Sequence, residues 1–360
     1  MNINAPLSIR RRMGLEIFRR LENERTEEHQ LKQLFWECTL RCNLHCRHCG
    51  SDCKKIAGHP DMPKEDFLRV LDSVSAQNDP HKIFVIITGG EPLMRKDLEE
   101  CGRAIYERGF PWGMVTNGLY MTRERLNGLL DAGLHTATVS LDGFATDHNW
   151  MRGNPQSFER AVEAIKLMVQ VPDFVFDVVT CVNKHSYMRL EELKDFLISL
   201  GVKGWRLFTI FPVGRAAKDP ELQLSNEEFR GVMEFIRKSR KEGRIHVSYG
   251  CEGFLGNYEA EVRDTFFACR AGISVGSVLI DGAISACPSI RADYHQGNIY
   301  ENDFMEVWNH RFKPYRDREW MKKDECADCK YFRFCKGNGM HLHDENGDLL
   351  FCHLKRLQTP

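Results

Sequence analysis

Extended apolar runs alternate with amphipathic helical patterns from residue 33 to about residue 250, and this alternation is the strongest constraint on the fold. The predicted strands are 34–36, 82–88, 112–116, 136–141, 174–182 and 205–211, and the predicted helices are 63–75, 98–108, 123–132, 155–169, 188–200 and 226–241. Alternation of this kind indicates βαβ units and a parallel sheet. Right-handed crossovers curl such units into an open barrel, whose chemistry lies in the loops after the strands.

Three cysteines, Cys42, Cys46 and Cys49, occupy the loop after the first strand. Three thiolates can hold three irons of a [4Fe–4S] cube, which ordinarily takes four cysteine ligands, so one iron keeps an open position. Zinc is the alternative, because His45 and His48 lie in the same loop. Zinc sites usually pair two C-x2-C motifs or combine one with regularly spaced histidines. The spacing therefore favours iron–sulfur and leaves zinc open.

The loop after the second strand is Thr88-Gly89-Gly90-Glu91-Pro92. Its glycines allow backbone to approach a ligand closely, and its carboxylate can accept hydrogen bonds from an ammonium group. This turn follows the cysteine triad by roughly 40 residues, in the next βα loop. The two segments together resemble the radical S-adenosylmethionine (SAM) superfamily.

The resemblance implies a partial (β/α)6 barrel and a [4Fe–4S] cluster whose open iron binds SAM. In that family, reductive cleavage of SAM yields a 5′-deoxyadenosyl radical that abstracts hydrogen from a substrate, while the protein supplies placement and shielding. An electron donor such as flavodoxin or ferredoxin is implied as a partner.

The resemblance also implies SAM contacts for residues at the strand ends. It implies one more for His48, at a position where members of the family usually have an aromatic residue. These residues are His48, Gly89, Gly90, Glu91, Pro92, Ser140, Asn183 and Arg215. From the sequence alone, Ser140 is equally typical of a helix cap, and Arg215 of a surface arginine. Cys181 is predicted to lie on the same strand face as Asn183 and is a candidate hydrogen-atom donor. A buried strand cysteine without a catalytic role is the commoner case.

Cysteines return after residue 250, where the alternation stops. Cys269 and Cys287 flank a predicted hairpin over 275–285, with Asp281-Gly282 as a type I′ turn. A Cys-x2-Cys-x5-Cys run and an outlying cysteine follow, at Cys326, Cys329, Cys335 and Cys352. This set, with the Glu306–Asn309 segment, resembles the SPASM domain, which binds auxiliary [4Fe–4S] clusters.

The chain departs from the full SPASM set at Gly339, where that set has a further cysteine. Motif order implies that Cys326, Cys329, Cys335 and Cys352 hold one closed cluster. Cys269 and Cys287 then need other ligands, and the candidates are Cys251, His341, His343 and Asp344. A shorter relative of the domain would instead combine Cys269, Cys287, Cys326 and Cys329. At least one auxiliary cluster is expected.

The 360 residues divide into an N-terminal helical lead-in (1–32), a core domain (33–250) and a small cysteine-rich C-terminal domain (251–360). Lysine and arginine total 50 against 51 aspartates and glutamates, so no basic excess indicates nucleic-acid binding. No signal peptide or apolar stretch long enough for a membrane span is present, which predicts a cytoplasmic protein. Fourteen cysteines then favour metal clusters over disulfides.

Three functions are compatible with these features. The favoured hypothesis is a maturase that modifies a peptide or protein by hydrogen abstraction. The second keeps the same radical chemistry on a small molecule, such as a tetrapyrrole or quinone precursor. The third is a non-catalytic zinc or iron–sulfur sensor, which the Gly-Gly-Glu-Pro turn argues against.

Overall fold

The computed structural model describes residues 6–290 and 292–359, in which ten strands form one sheet. The strands are β1 (Gln33–Thr39), β2 (Phe84–Gly89), β3 (Trp112–Thr116), β4 (Leu134–Ser140), β5 (Val175–Val182), β6 (Gly204–Thr209), β7 (His246–Tyr249), β8 (Val275–Val278), β9 (Ala283–Ser285) and β10 (Gly297–Asn298). The helices are α1 (Ile9–Glu28), α2 (Lys64–Ser75), α3 (Leu98–Glu107), α4 (Arg123–Asp131), α5 (Ala145–Arg152), α6 (Ser157–Val169), α7 (Lys184–Tyr187), α8 (Leu190–Ser199), α9 (Asn226–Glu242), α10 (Phe304–His310), α11 (Lys313–Arg316), α12 (Phe332–Cys335) and α13 (His353–Gln358). The strand order is β10-β9-β8-β1-β2-β3-β4-β5-β6-β7.

Strands β1 to β7 are parallel and lie side by side in chain order. Parallel neighbours need a crossover, and helices provide one between successive strands, so the C-terminal strand ends meet at one edge. The predicted α/β architecture with a parallel sheet is confirmed. Strand β7 was not predicted, because its four residues are too few to show a periodic pattern.

Helices pack on the sheet through the apolar faces that their sequences provide. In α2, Phe67 and Val74 are fully buried, and the Phe67 ring stacks on Trp36 of β1 with ring centroids 4.6 Å apart. Burying each such side chain contributes about 1.5–3 kcal/mol. A capping box between Ser225 and Glu228 sets the start of α9. Local signals thus fix where these helices begin and which face they bury.

The predicted hairpin is present as β8 and β9, and it extends the barrel sheet. Strand β8 pairs in parallel with β1, with Val275 opposite Gln33. The type I′ turn is wrong, since Gly282 has a φ of 84° while Asp281 does not have a positive φ. The Gly282 N–H donates to the Leu279 carbonyl at 3.0 Å, so Gly282 follows the turn as a bulge residue.

Helix α1 packs against the C-terminal part of the chain. Its Leu15 is buried, and the Phe18 ring lies 5.6 Å from that of Phe266. Ile17 and Leu21 of the same helix are 61% and 44% exposed. Among the helices described, none is both long and apolar enough to cross a membrane.

Candidate active site at the ends of the parallel strands

The three cysteines after β1 line a cavity of about 190 Å³. Cys42 and Cys46 are buried, and Cys49 is half-buried. The Arg47 N–H donates to the Met151 carbonyl at 2.8 Å, which ties the cysteine loop to α5. Three thiols held around one space suit a cluster that leaves one iron without a protein ligand.

The Gly89-Gly90 pair lies against the segment that leads into the cysteine loop, and both glycines line the cavity. The Gly90 N–H donates to the Thr39 carbonyl at 2.7 Å. A Cβ atom at Gly89 or Gly90 would overlap the carbonyl of Thr39 or Arg41, respectively. The close approach of two loops therefore requires these glycines, in addition to the predicted approach of a ligand from the cavity.

The Glu91 carboxylate is buried and already has three donors. These are the Thr116 hydroxyl at 2.7 Å, the Asn117 N–H at 2.7 Å and the Leu93 N–H at 3.2 Å. Burial raises the pKa of Glu91, and these hydrogen bonds oppose the rise. The carboxylate ties the loop after β2 to the loop after β3 and also lines the cavity, so its contact with the SAM amino group stays a prediction. Pro92 is buried outside the cavity lining.

A buried ion pair between Arg152 and Asp142 belongs to the site and was missed in the sequence. Arg152 Nε donates to Asp142 at 2.6 Å, and its Nη1 lies 3.7 Å from Cys46 Sγ. Burial disfavours the charged form of Arg152, but the negative charge of Asp142 outweighs this effect and raises the pKa of Arg152. Arg152 lines the cavity. It is the last residue of α5, before Gly153 in the left-handed conformation, and this pattern indicates only a helix end.

Ser140 ends β4 and lines the cavity, as does His48. Arg215 also reaches the cavity, but its guanidinium is committed to the cysteine loop. It donates to the Cys46 carbonyl at 2.7 Å and pairs with Asp52 at 2.7 Å. Arg215 therefore holds the loop, and its contact with SAM stays a prediction.

Asn183 lies outside this cavity lining. Its side-chain oxygen accepts hydrogen bonds from the N–H groups of His185 and Ser186 and caps α7. A residue just past a strand thus serves here as a helix N-cap, and contact of the Asn183 carboxamide with SAM stays a prediction.

A second cavity, of about 170 Å³, adjoins the first at His48, which lines both. Cys181 and the Pro288-Ser289 pair also line it. Ligand atoms of His48, Asp142 and Cys181 lie within 4.8 Å of one another. Burial, followed by the Asp142 charge, raises the pKa of Cys181, so this residue keeps its S–H bond near neutral pH. An S–H bond is what a hydrogen-atom donor requires.

Cysteines of the C-terminal part form two groups, and the first is the one implied by motif order. Burial, followed by the charge of Cys352, raises the pKa of Cys326 to about 11. Burial also raises the pKa of Cys335, and the charges of Cys352, Cys326 and Cys329 add to this rise. The Asn338 N–H donates to Cys335 Sγ at 3.2 Å. The first group is Cys326, Cys329, Cys335 and Cys352.

The second group is Cys251, Cys269 and Cys287. The Cys251 side chain keeps some surface accessible to solvent, but protein atoms surround it on its other sides. This partial removal from water, followed by the charges of Cys287 and Cys269, raises the pKa of Cys251 to about 12. Burial opposes ionisation of Cys269. The Arg318 charge and the backbone N–H of Met340 outweigh it and lower the Cys269 pKa. A thiolate is the form that binds iron.

Sulfur separations distinguish iron–sulfur cubes from single zinc ions. Thiolates around one zinc lie about 3.8 Å apart, because Zn–S bonds are about 2.3 Å long. Within residues 6–290 and 292–359, no three cysteine sulfurs lie within 4.8 Å of one another. Among these residues, therefore, no three cysteine thiols are arranged as the ligands of a single zinc ion.

Comparison with known proteins agrees with this chemistry. A profile of the radical SAM superfamily matches residues 36–197, and one of the SPASM iron-sulfur cluster-binding domain matches residues 269–330. The chain is 27% identical to the AdoMet-dependent heme synthase of Methanosarcina barkeri, over 88% of this chain and 93% of that protein. It is 26% identical to the mycofactocin maturase MftC of Mycolicibacterium smegmatis, over 85% and 77%.

Solved structures share the fold. SuiB of Streptococcus suis bound to S-adenosylmethionine has a TM-score of 0.69 at 19% identity, covering 87% of this chain and 75% of that one. The anSMEcpe structure with bound AdoMet has a TM-score of 0.69 at 18% identity, covering 91% and 94%. The sensor hypothesis is therefore set aside. The chain belongs to the radical SAM superfamily, as an enzyme that binds SAM at a [4Fe–4S] cluster and carries a C-terminal SPASM domain for an auxiliary iron–sulfur cluster.

Proposed function

We propose that this enzyme abstracts hydrogen from a tetrapyrrole, the small-molecule alternative of the sequence analysis. Relatives named AdoMet-dependent heme synthase and Fe-coproporphyrin III synthase are 27% and 28% identical over 337 and 330 residues. Relatives named PqqA peptide cyclase and mycofactocin maturase are 23% and 26% identical over 305 and 316 residues. The longer matches favour the tetrapyrrole, and the peptide hypothesis ranks second.

The observation that carries the proposal is the pair of adjoining cavities. The first contains the cysteine triad, and the second extends from His48 to the Pro288-Ser289 pair, directly after Cys287. A substrate in the second cavity therefore lies between SAM and the second auxiliary cysteine group. At about 170 Å³ this cavity is smaller than a drug-sized ligand requires. We expect one carboxyalkyl arm of the macrocycle to enter it.

Residues of the first cavity hold the cluster and orient SAM. Cys42, Cys46 and Cys49 would ligate three irons, and the buried positive charge of Arg152 in the cavity lining would pair with the SAM carboxylate. Bound SAM supplies the 5′-deoxyadenosyl radical that takes a hydrogen atom from the substrate. A reductant such as flavodoxin or ferredoxin supplies the electron for SAM cleavage.

Cys181 is the candidate hydrogen-atom donor, because its protonated thiol lines the second cavity. A Cys181→Ala variant that accumulates the same product at the same rate would exclude this role.

Deuterium transfer tests the substrate. Anaerobic enzyme with reductant, SAM and an iron-coproporphyrin deuterated on its carboxyethyl arms should form deuterated 5′-deoxyadenosine. Cys42→Ala is the control and should form none, because the cluster is lost. If SAM is cleaved at the same rate with and without the tetrapyrrole, and no deuterium is transferred, a tetrapyrrole is not the substrate. That result would leave the radical chemistry of the enzyme intact.

A peptide substrate is the second candidate, supported by the maturase relatives. A short peptide encoded beside this chain would be its natural probe. Deuterium transfer from that peptide, and none from a tetrapyrrole, would reverse the ranking.

A further inference from the structure

The second auxiliary cysteine group has three thiols, whereas a closed cube takes four protein ligands. Two of the candidates for the remaining position are engaged elsewhere. His343 Nδ1 lies 3.1 Å from the Gly347 carbonyl, and its Nε2 lies 2.7 Å from the Gly337 carbonyl. The Asp344 carboxylate accepts two backbone N–H groups of its own turn, at 2.9 Å each. Both residues are therefore poor ligands.

His341 has the opposite character. It is 8% exposed, and no described group lies within hydrogen-bonding distance of its Nε2. A buried ring nitrogen without a partner destabilises a fold unless something else binds it. A Cβ at Gly339 would lie 2.6 Å from His341 Cε1 and 2.8 Å from its Nδ1. The imidazole thus occupies the space that a side chain at position 339 would enter.

The segment that carries His341 contacts the cysteine group on two sides. The Met340 N–H donates to Cys269 Sγ. The Gly339 N–H donates to the Glu252 carbonyl at 3.0 Å, one residue after Cys251. The two residues directly before His341 are therefore fixed next to Cys269 and beside Cys251, which keeps the unpartnered imidazole close in the chain to this group.

We propose that His341 is the fourth protein ligand of an auxiliary [4Fe–4S] cluster held by Cys251, Cys269 and Cys287. This deepens the proposed function and rests on it, because the proposed substrate cavity lies beside this cysteine group. An imidazole in place of a thiolate makes the cluster one charge less negative. Histidine ligation raises the reduction potential of iron–sulfur clusters, so this cluster should accept an electron more readily than its all-cysteine equivalent.

The test is pulsed electron paramagnetic resonance on the whole chain with nitrogen-15 confined to histidine. Cys42, Cys46 and Cys49 are replaced by alanine, so that only auxiliary clusters contribute. The reduced protein should show a strong coupling to histidine nitrogen. His341→Cys should abolish it, keep the iron content and lower the reduction potential. His343→Gln is the matched control and should retain the coupling.

A second variant keeps the proposal testable if loss of the imidazole disturbs folding. His341→Ala should lose about four irons per chain, and Gly339→Cys in that background should restore them without the nitrogen coupling. If the protein that retains His341 shows the resonance signals of both auxiliary clusters without coupling to histidine nitrogen, His341 is not a ligand. The absence of any second auxiliary cluster would also overturn the proposal. Deuterium transfer from the tetrapyrrole, measured on the unmodified enzyme, reports on the proposed function separately.

Discussion

Burial sets the charge states of individual residues around the first cavity. Arg152 and Asp142 are 7% and 0% exposed and form a direct ion pair. Asp142 also accepts the Cys181 N–H at 2.9 Å, while its own N–H donates to His148 Nδ1 at 3.0 Å. A cation fixed in this network is oriented before SAM arrives, which reduces the cost of binding.

Replacing Arg152 tests this network. Arg152→Gln should weaken SAM binding and lower the free energy of unfolding by about 3–5 kcal/mol, because Asp142 is left charged, buried and unpaired. Isothermal titration with SAM and denaturant unfolding measure the two effects. Arg160→Gln, on a half-exposed side chain, is the control. Asp142→Asn added to Arg152→Gln should recover stability but not SAM affinity, and recovery of both would contradict the assigned role of Arg152.

His148 makes stability depend on pH. Burial lowers its pKa from 6.5 to about 3, and its Nδ1 accepts a backbone N–H that a protonated ring could not accept. The unfolded state therefore binds a proton below about pH 6.5 that the folded state does not, and stability falls as pH falls. Between pH 7.5 and pH 5 this should cost about 2 kcal/mol.

Urea unfolding at the two pH values measures the effect of His148. His148→Gln keeps an acceptor but does not titrate, so the difference between the two pH values should shrink by about 2 kcal/mol. His81→Gln, at an exposed position, should leave the difference unchanged. An unchanged difference in His148→Gln would contradict the prediction.

Loops after neighbouring strands act as one unit at the level of elements. The Gly89-Gly90 turn after β2 hydrogen-bonds to the end of β1, and the Glu91 carboxylate reaches the loop after β3. Arg215, after β6, holds the cysteine loop from another side. The cluster site is therefore assembled by contacts between loops, each positioned by its own strand.

Adding one methyl group should disrupt this assembly. Gly90→Ala places Cβ against the Arg41 carbonyl, so the turn must move away from the cysteine loop. A displacement of about 1 Å can cost about 100-fold in rate, and we expect a loss of that size in 5′-deoxyadenosine formation. Gly58→Ala is the matched control, since its Cβ meets nothing within 4 Å. Equal activity in both variants would show that the two loops tolerate separation.

The whole molecule joins the SAM site to the C-terminal cysteines through one sheet. Strand β8 pairs with β1, so the segment carrying Cys269 and Cys287 continues the sheet that carries the cysteine triad. The second cavity touches both regions. This continuity connects the two cysteine-bearing regions, and the cavity between them, without a flexible linker.

The iron content of the chain tests whether both cysteine-bearing regions hold clusters. The triad and two auxiliary groups should bind three cubes, or about 12 irons and 12 sulfides per chain after anaerobic reconstitution. Alanine at Cys42, Cys46 and Cys49 should remove about four irons, and alanine at Cys326, Cys329, Cys335 and Cys352 should remove another four. Analysis of iron and sulfide checks both. About four irons in the unmodified chain would contradict any auxiliary cluster.

What the sequence determined by itself is local. Strand–helix alternation predicts the parallel sheet, and the spacing of Cys42, Cys46 and Cys49 predicts the open cluster, because periodicity and ligand spacing are properties of one short segment. The internal hydrogen bonds of Glu91, the ion pair of Arg152 with Asp142 and the unpartnered ring nitrogen of His341 were not predicted. Each of these depends on a partner from a distant segment or on burial, which only the tertiary structure creates. Charge pairing and the burial of these side chains were therefore decided by the fold.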